Sequence, residues 1–445
     1  MVNEKEYNRI YREFHNKMIW TRFGMIFLGF WLLMSPESFG YIDSRLHYSD
    51  WISGFLLIIF GGISMKQKLS GWIWTGAIVG IWLQFAPLVF WAKEPVIYVN
   101  DTLIGVLAIS FCVLVPLRPY QFEIGPEIPH GWTYNPSAWS QRIPVIFFAI
   151  VGWFIARYMA AFQLHYIHFV WDPFFGLGTE KVITSMISHD FPVPDAGLGA
   201  MAYSLEAIMG AKGGVRRWHT MPWIVVIFGI LVVPLGFVSI TLVMLQPIVV
   251  GAWCGLCLII ATCMLIMLAL TIDEVVAVCQ YLSQIRREKK PFWRTFFMGS
   301  KYTLDSITSS DHQTSSFSEA PRKIIQSMFF GVKIQWNLLI TALIGGWLLF
   351  SKDIFRCQGI LADNIDVCGA LIIVFSIISW AEVVRALRLM NIAIALWLII
   401  STFVLSGATL LFIWHIVVIS MCIISLSIFR GKIKEKYGDW DAYIF

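Results

Sequence analysis

The chain has 445 residues, of which 58% are hydrophobic and only 14% charged, against roughly 25% charged in ordinary soluble domains. Its formal charge of +5 is carried in loops between long apolar runs, so it reads as membrane topology and argues against a nucleic-acid surface. Eight scattered cysteines exclude a disulfide scaffold. Met1 to Met18 is charged and lacks an apolar stretch, so no cleavable signal peptide is expected there.

The first span begins over Phe23 to Met34. Further spans are predicted over Trp51–Met65, Trp72–Trp91 and Thr102–Leu117. These four are an internal duplication. Gly29, Trp31, Leu32, Pro36, Asp50 and Gly54 recur 51 residues later as Gly80, Trp82, Leu83, Pro87, Asp101 and Gly105. Each unit reads as helix, Pro-containing outer loop, helix. The Trp31 and Ser35-Pro36 element resembles the SPW repeat, a small bacterial membrane module.

Arg118 to Arg142 is a connector rich in Pro, Trp and Tyr, expected to lie at the membrane surface. Spans five to eight follow over Ile143–Phe162, Ala196–Met209, Pro222–Leu245 and Cys254–Cys279. A polar loop, His165 to Asp195, separates the first two of these. Gln280 to Trp336 forms a long basic and Ser/Thr-rich loop, expected to be mobile over Ser306–Ser318. The last four spans are read over Asn337–Phe350, Gly369–Val384, Asn391–Leu405 and Thr409–Phe429. They hold a degenerate third repeat: Gly345, Trp347, Leu348, Leu349 and Asp366 match Gly29, Trp31, Leu32, Leu33 and Asp50, while Lys352 replaces Pro36.

Lys and Arg crowd one set of loops. The opposite set carries only Arg45, Lys93, Lys181, Lys352 and Arg356. Both termini are therefore expected in the cytoplasm of a bacterial inner-membrane protein, with Cys254 and Cys257 at the outer face, where a disulfide can persist.

The strongest chemical signal is Gly251-Ala252-Trp253-Cys254-Gly255-Leu256-Cys257, a Cys-x-x-Cys opening a long apolar helix. The helix N-terminus favours the thiolate of its first cysteine. Two small buried residues in a membrane helix would be the bland alternative. Together with Val182-Ile183-Thr184-Ser185, the run Phe191 to Gly199 and Tyr203, this element resembles the vitamin K epoxide reductase family. That resemblance covers about Ile143 to Leu282. It implies a four-helix membrane bundle with an outer capping loop and half-helix, holding a quinone against the cysteine pair. Cys257 would face the quinone, and Cys254 would exchange disulfides with a donor. Family members usually carry a second cysteine pair in the capping loop. Here Thr179 stands at one such position, and no cysteine occurs between Cys112 and Cys254.

The chain is thus expected to be an all-α polytopic membrane protein of about 12 spans. Its predicted segments are a repeat domain (1–120), connector (121–142), central bundle (143–282), cytoplasmic loop (283–336), degenerate repeat domain (337–429) and tail (430–445). The implied activity is that of a quinone-dependent thiol–disulfide oxidoreductase. It would oxidise an extracytoplasmic thioredoxin-like dithiol protein and reduce ubiquinone or menaquinone. The missing loop cysteines leave a second reading open, a redox-inactive membrane scaffold, small-molecule binder or transporter. Cys357 and Cys368, read as one outer loop, are either a shuttle or a structural disulfide. Ser185, Thr184, Tyr203, Trp253, His165 and His168 are quinone-pocket candidates, His being able to donate a proton to quinone oxygen. Arg157, inside a span, is expected to pair with an acid such as Glu206 or Asp172. No metal set is expected: His165-x-x-His168 has ligand spacing, but nothing near it completes a site.

Overall fold

The computed structural model describes residues 4–115, 126–189, 192–299, 319–405, 407 and 409–444. The mobile segment expected over Ser306–Ser318 lies outside them, as do Arg118 and Phe191. Helices α1 (Glu4–Lys17), α2 (Trp20–Phe39), α3 (Ser44–Ile63), α4 (Thr75–Val89) and α5 (Pro95–Val113) build the first module. The central part holds α6 (Trp139–Gln163), the short α7 (Gly178–Ile183) and α8 (Met186–His189), α9 (Asp195–Ala211), α10 (Arg217–Thr220), α11 (Pro222–Leu245) and α12 (Gly255–Arg287). After α13 (Phe292–Met298) and α14 (Pro321–Ser327) come α15 (Trp336–Ile354), α16 (Ile360–Ile378), α17 (Met390–Val404) and α18 (Leu410–Ile428). Among the described residues there is no strand, only isolated bridges at Trp132–Tyr437 and Val332–Ala381.

Among the described residues, eleven helical stretches are long and apolar enough to cross a membrane, so the chain is a multi-pass membrane protein. α9 has 17 residues, about 25 Å at the helical rise, the lower limit for a span. On α2 the large side chains Phe23, Phe27, Phe30 and Met34 form an exposed stripe, while Met25, Leu28, Leu32 and Ser35 are buried on the other face. In water such a stripe would be a liability; against lipid it costs nothing.

The repeats fold alike because glycine lets each helix pair cross closely. A Cβ on Gly29 would lie 2.6 Å from the Gly54 carbonyl oxygen, one on Gly80 2.6 Å from that of Gly105, and one on Gly345 2.8 Å from that of Gly369. The two N-terminal units also exchange hydrogen bonds. Trp31 Nε1 donates to Asn100 Oδ1 (2.8 Å) and Trp82 Nε1 to Ser49 Oγ (2.9 Å), equivalent residues 51 apart. The C-terminal module repeats the exchange, Trp347 Nε1 donating to His415 Nε2 (3.0 Å) and Trp397 Nε1 to Asn364 Oδ1 (2.8 Å).

Several boundaries differ from the sequence reading. Pro36 and Pro87 sit inside the ends of α2 and α4, not in outer loops; α2 is closed by left-handed Gly40, whose N–H donates to the Pro36 carbonyl. α16 starts at Ile360, nine residues before the expected Gly369, because its polar first turns are satisfied internally: Asp366 pairs with Lys352, and Asn364 Nδ2 donates to Ser401 Oγ (2.9 Å). Cys368 therefore lies within a helix.

At the end of the bundle away from the cysteine pair, the connector and tail close over α12. Tyr134 OH donates to Asp273 Oδ2 (2.7 Å), Gln280 Nε2 donates to the Tyr437 carbonyl (2.8 Å), and buried Arg217 pairs with Glu274 (2.5 Å). Asp273 and Glu274 thus hold this end of the bundle together.

The glycine crossings give a direct test. Gly345→Ala must push α15 from α16 and is expected to cost about 1–3 kcal/mol by overpacking. A Cβ on neighbouring Gly346 meets nothing within 4 Å. Thermal unfolding in detergent should show a lowered midpoint for Gly345→Ala and none for Gly346→Ala.

Candidate active site

The site begins where α11 ends. Chain reversal after the wider turn Gln246–Val250 runs through Gly251, left-handed at φ 66°. Cys254 then takes the extended N-cap position of α12, and its Sγ accepts the Cys257 N–H at 3.0 Å. The two cysteines are joined in a disulfide with their Cα atoms 5.2 Å apart. The Cys254 N–H donates to Gln246 Oε1 (3.0 Å), tying both ends of the turn together.

A cap covers this helix start, organised by Asp172. Its Oδ1 accepts the N–H groups of Phe174 (2.8 Å) and Phe175 (2.9 Å). Its Oδ2 accepts Thr179 Oγ1 (2.6 Å), the Thr179 N–H (3.1 Å) and, from α12, the Gly255 N–H (3.0 Å). Burial pushes this carboxyl up, but the bonds from Thr179, Phe174, Phe175 and Gly255 outweigh it and hold it well below the usual carboxylate range. α7 is thereby seated on the disulfide, with Thr179 Oγ1 3.4 Å from Cys254 Sγ. At Gly178 any side chain would strike the Trp253 carbonyl.

Beneath the cap, α6, α9, α11 and α12 enclose a cavity of ≈ 120 Å³, on the order of the ~150 Å³ that holds a single benzene ring. Cys257, Met159 and Tyr203 line it, and Cys254 does not. Its polar lining includes Ser185, Ser188, Asp195, Ser239 and Gln246. Asp195 Oδ1 accepts Gln163 Nε2 (2.5 Å), Ser188 Oγ (2.8 Å) and the Ala196 N–H (2.8 Å), which fixes the carboxylate at the start of α9.

The expected pocket residues divide. Ser185 and Tyr203 line the cavity with Cys257. Thr184 is exposed, its hydroxyl turned back to the Glu180 carbonyl. His165 and His168 are exposed on the loop after α6, His165 with φ 62°, and neither reaches the cavity. Trp253 faces a different cavity, towards α16. Arg157 pairs with neither Glu206 nor Asp172; its guanidinium lies over the rings of Tyr98 (4.9 Å) and Trp153 (5.0 Å). Cys357 and Cys368 are separate thiols buried in the core of the C-terminal module, beside Leu361, Ile365 and Phe412. Burial pushes the Cys357 thiol up, with Lys352 opposing, so nothing primes it for exchange. Cys254 was expected to be reachable, yet it has 0% exposure because the cap seals it. Asp172, Gln163, Ser188 and Asp195 were missed, although an acid at a helix start is a readable sign for Asp195.

The sequence of this bundle has a counterpart among known protein families. The central bundle matches the vitamin K epoxide reductase family. The match spans residues 143–272, and residues 19–115 match the SPW repeat domain. No curated protein and no solved structure is significantly similar to the chain. Within this bundle the residue that reaches Cys254 from the cap is Thr179.

Because the Asp172 carboxyl is depressed, its contribution is complete above the unfolded value near 4 and fades only as pH falls below it. Cap protection, read as hydrogen exchange over residues 174–184, should be flat from pH 8 to about 5. Asp172→Asn should raise exchange there at every pH in that range, by an amount corresponding to about 2 kcal/mol.

Proposed function

We propose that the protein is a membrane thiol–quinone oxidoreductase acting through Cys254 and Cys257. The observation that carries this reading is the asymmetry of the pair: Cys257 lines a ring-sized cavity with polar groups, and Cys254 lies on the other side, under the cap. The family match supports oxidoreductase chemistry in general. In this reading residues 143–282 are the catalytic unit, 1–120 and 337–429 are flanking modules, and the Lys/Arg distribution sets both termini in the cytoplasm of a bacterial inner membrane.

The cycle balances as follows. A thiolate of an extracytoplasmic dithiol protein, of thioredoxin-like type, attacks Cys254 Sγ, and Cys257 leaves as a thiolate. The partner's second thiolate resolves the mixed disulfide, so the partner departs oxidised and Cys254 is reduced. Cys257 then adds to a ring carbon of ubiquinone or menaquinone. Attack of Cys254 on Cys257 Sγ re-forms the disulfide and drives the C–S electron pair into the ring. Two electrons and two protons have passed from the partner's thiols to the hydroquinone. Asp195, held against the cavity, and Tyr203 are placed to hold or pass a proton at the quinone oxygens. Exchange at Cys254 requires the cap to lift. Thr179 cannot relay electrons, so the partner must deliver them directly.

Thr179 also keeps the second reading alive, since a bundle without a relay could serve as a redox-silent binder or transporter. Alkylation mass shifts separate the two. In purified membranes a reduced Cys254–Cys257 pair should return to the disulfide when a short-chain quinone is added, and Cys257→Ser should abolish quinone consumption. A pair that stays reduced in excess quinone sinks the enzyme reading. The cap geometry has its own test: Thr179→Cys combined with Cys257→Ser should cross-link α7 to Cys254 under mild oxidation, detected as a gel shift after proteolysis.

A further inference from the structure

A second cavity, ≈ 140 Å³ and mostly apolar, lies on the other side of α11, between the central bundle and α15–α16. Val243 lines both cavities. The second is walled by Trp253, next to Cys254 in sequence, by Leu258 and Leu265 of α12, and by Leu349 and Asp366 of the C-terminal module.

Asp366 is the unusual member. It is 1% exposed; one oxygen is ion-paired with Lys352, and the other, Oδ1, has no hydrogen-bond partner among the described residues. A buried acceptor left unmade is costly. The N-terminal module surrounds its equivalent acid differently. There Asp50 Oδ2 takes Tyr41 OH (2.9 Å), Asp101 Oδ1 takes Asn100 Nδ2 (3.3 Å), and Asp50 Oδ1, like that of Asp366, has no hydrogen-bond partner among the described residues. In the C-terminal module His415 takes the Trp347 N–H as Asn100 takes that of Trp31, so Ile416 stands where Asp101 would. The second carboxyl is gone. Lys352, in the place of Pro36, supplies a charge from the opposite helix, so here a carboxylate paired with a cation lines a cavity against the central bundle.

We infer that this cavity is a binding site for a hydroxyl-bearing aromatic ring, the headgroup of a hydroquinone, with Trp253 along the ring and a ring hydroxyl donating to Asp366. The acceptor discriminates by chemistry: a hydroquinone has a hydrogen to give, and a quinone has none. Naming the ligand as the reaction product rests on the oxidoreductase reading; the site itself does not.

The test uses the full chain in lipid nanodiscs, made redox-silent by Cys254→Ser with Cys257→Ser, and anaerobic equilibrium binding of trimethylhydroquinone and trimethylquinone. Empty nanodiscs correct for partitioning. We expect the hydroquinone to show one saturable site more than the quinone. Asp366→Asn should weaken that site by about tenfold or more, the scale of a hydrogen bond to a charged group. Ala370→Phe, which fills the cavity from α16, should remove it. Equal stoichiometry for the two rings, or a hydroquinone site indifferent to both substitutions, overturns the proposal. Asp366→Asn keeps the shape of the side chain and reports even where Ala370→Phe misfolds. Redox assays on the unmodified cysteines are read separately. A hydroquinone site without quinone-dependent disulfide formation keeps this inference and removes the enzyme; disulfide formation without that site does the reverse.

Discussion

Five hydrogen bonds to one carboxylate hold the candidate site in its present form. Asp172 gathers the N–H groups of Phe174, Phe175 and Thr179 from the cap and that of Gly255 from α12. A helix N-terminus offers unpaired donors and a positive dipole end, so an anion from the cap is the natural complement. The same carboxylate fixes the Thr179 hydroxyl. Without Asp172, α7 would have no polar tie to α12 among the described bonds except the longer contact of Thr179 with the Cys254 sulfur. The burial of Cys254, the closure above the cavity and the separation of the two cysteine environments all follow from that anchor.

The flanking modules obey a different constraint. An acid inside a bilayer must be neutralised or paired. The N-terminal module does this with a second carboxyl, a phenol and Asn100 around Asp50. The C-terminal copy does it with Lys352. Both solutions keep the glycine crossing and the reciprocal tryptophan bonds. Divergence between the copies includes Lys352 for Pro36, His415 for Asn100 and Ile416 for Asp101, and together these change the electrostatics around Asp366.

Much of this was legible in the sequence, and the reasons differ by element. The spans and the 51-residue repeat follow from hydropathy and identity alone, and the Cys-x-x-Cys followed by an apolar run placed the disulfide at a helix start. The Asp172–Gly255 and Thr179–Cys254 contacts join residues about 80 apart in sequence, so no local pattern announces them. The start of α16 was misplaced because Asp363, Asn364 and Asp366 look like loop residues until their partners on α15 and α17 are known. His165 and His168 drew attention by chemistry, yet the turn after α6 leaves both in the open. Residue type suggested them, and backbone direction excluded them.

The sealed cysteine is the remaining step. Disulfide exchange needs in-line access to one sulfur, and Cys254, on the side away from the cavity, is fully covered. In a bundle with a loop cysteine, the cap itself could carry electrons while staying closed. With threonine at that position, the covering element has no chemistry of its own and acts only through its position. In the proposed cycle, cap opening then becomes part of the reaction rather than an accessory to it. A partner that competes for the donors held by Asp172, or that displaces α7 on docking, gains access to Cys254; a small thiol that does neither meets a closed surface. On the proposed thiol–quinone reading, the arrangement would favour protein dithiols over small thiols through access, without altering the intrinsic reactivity of the cysteine pair.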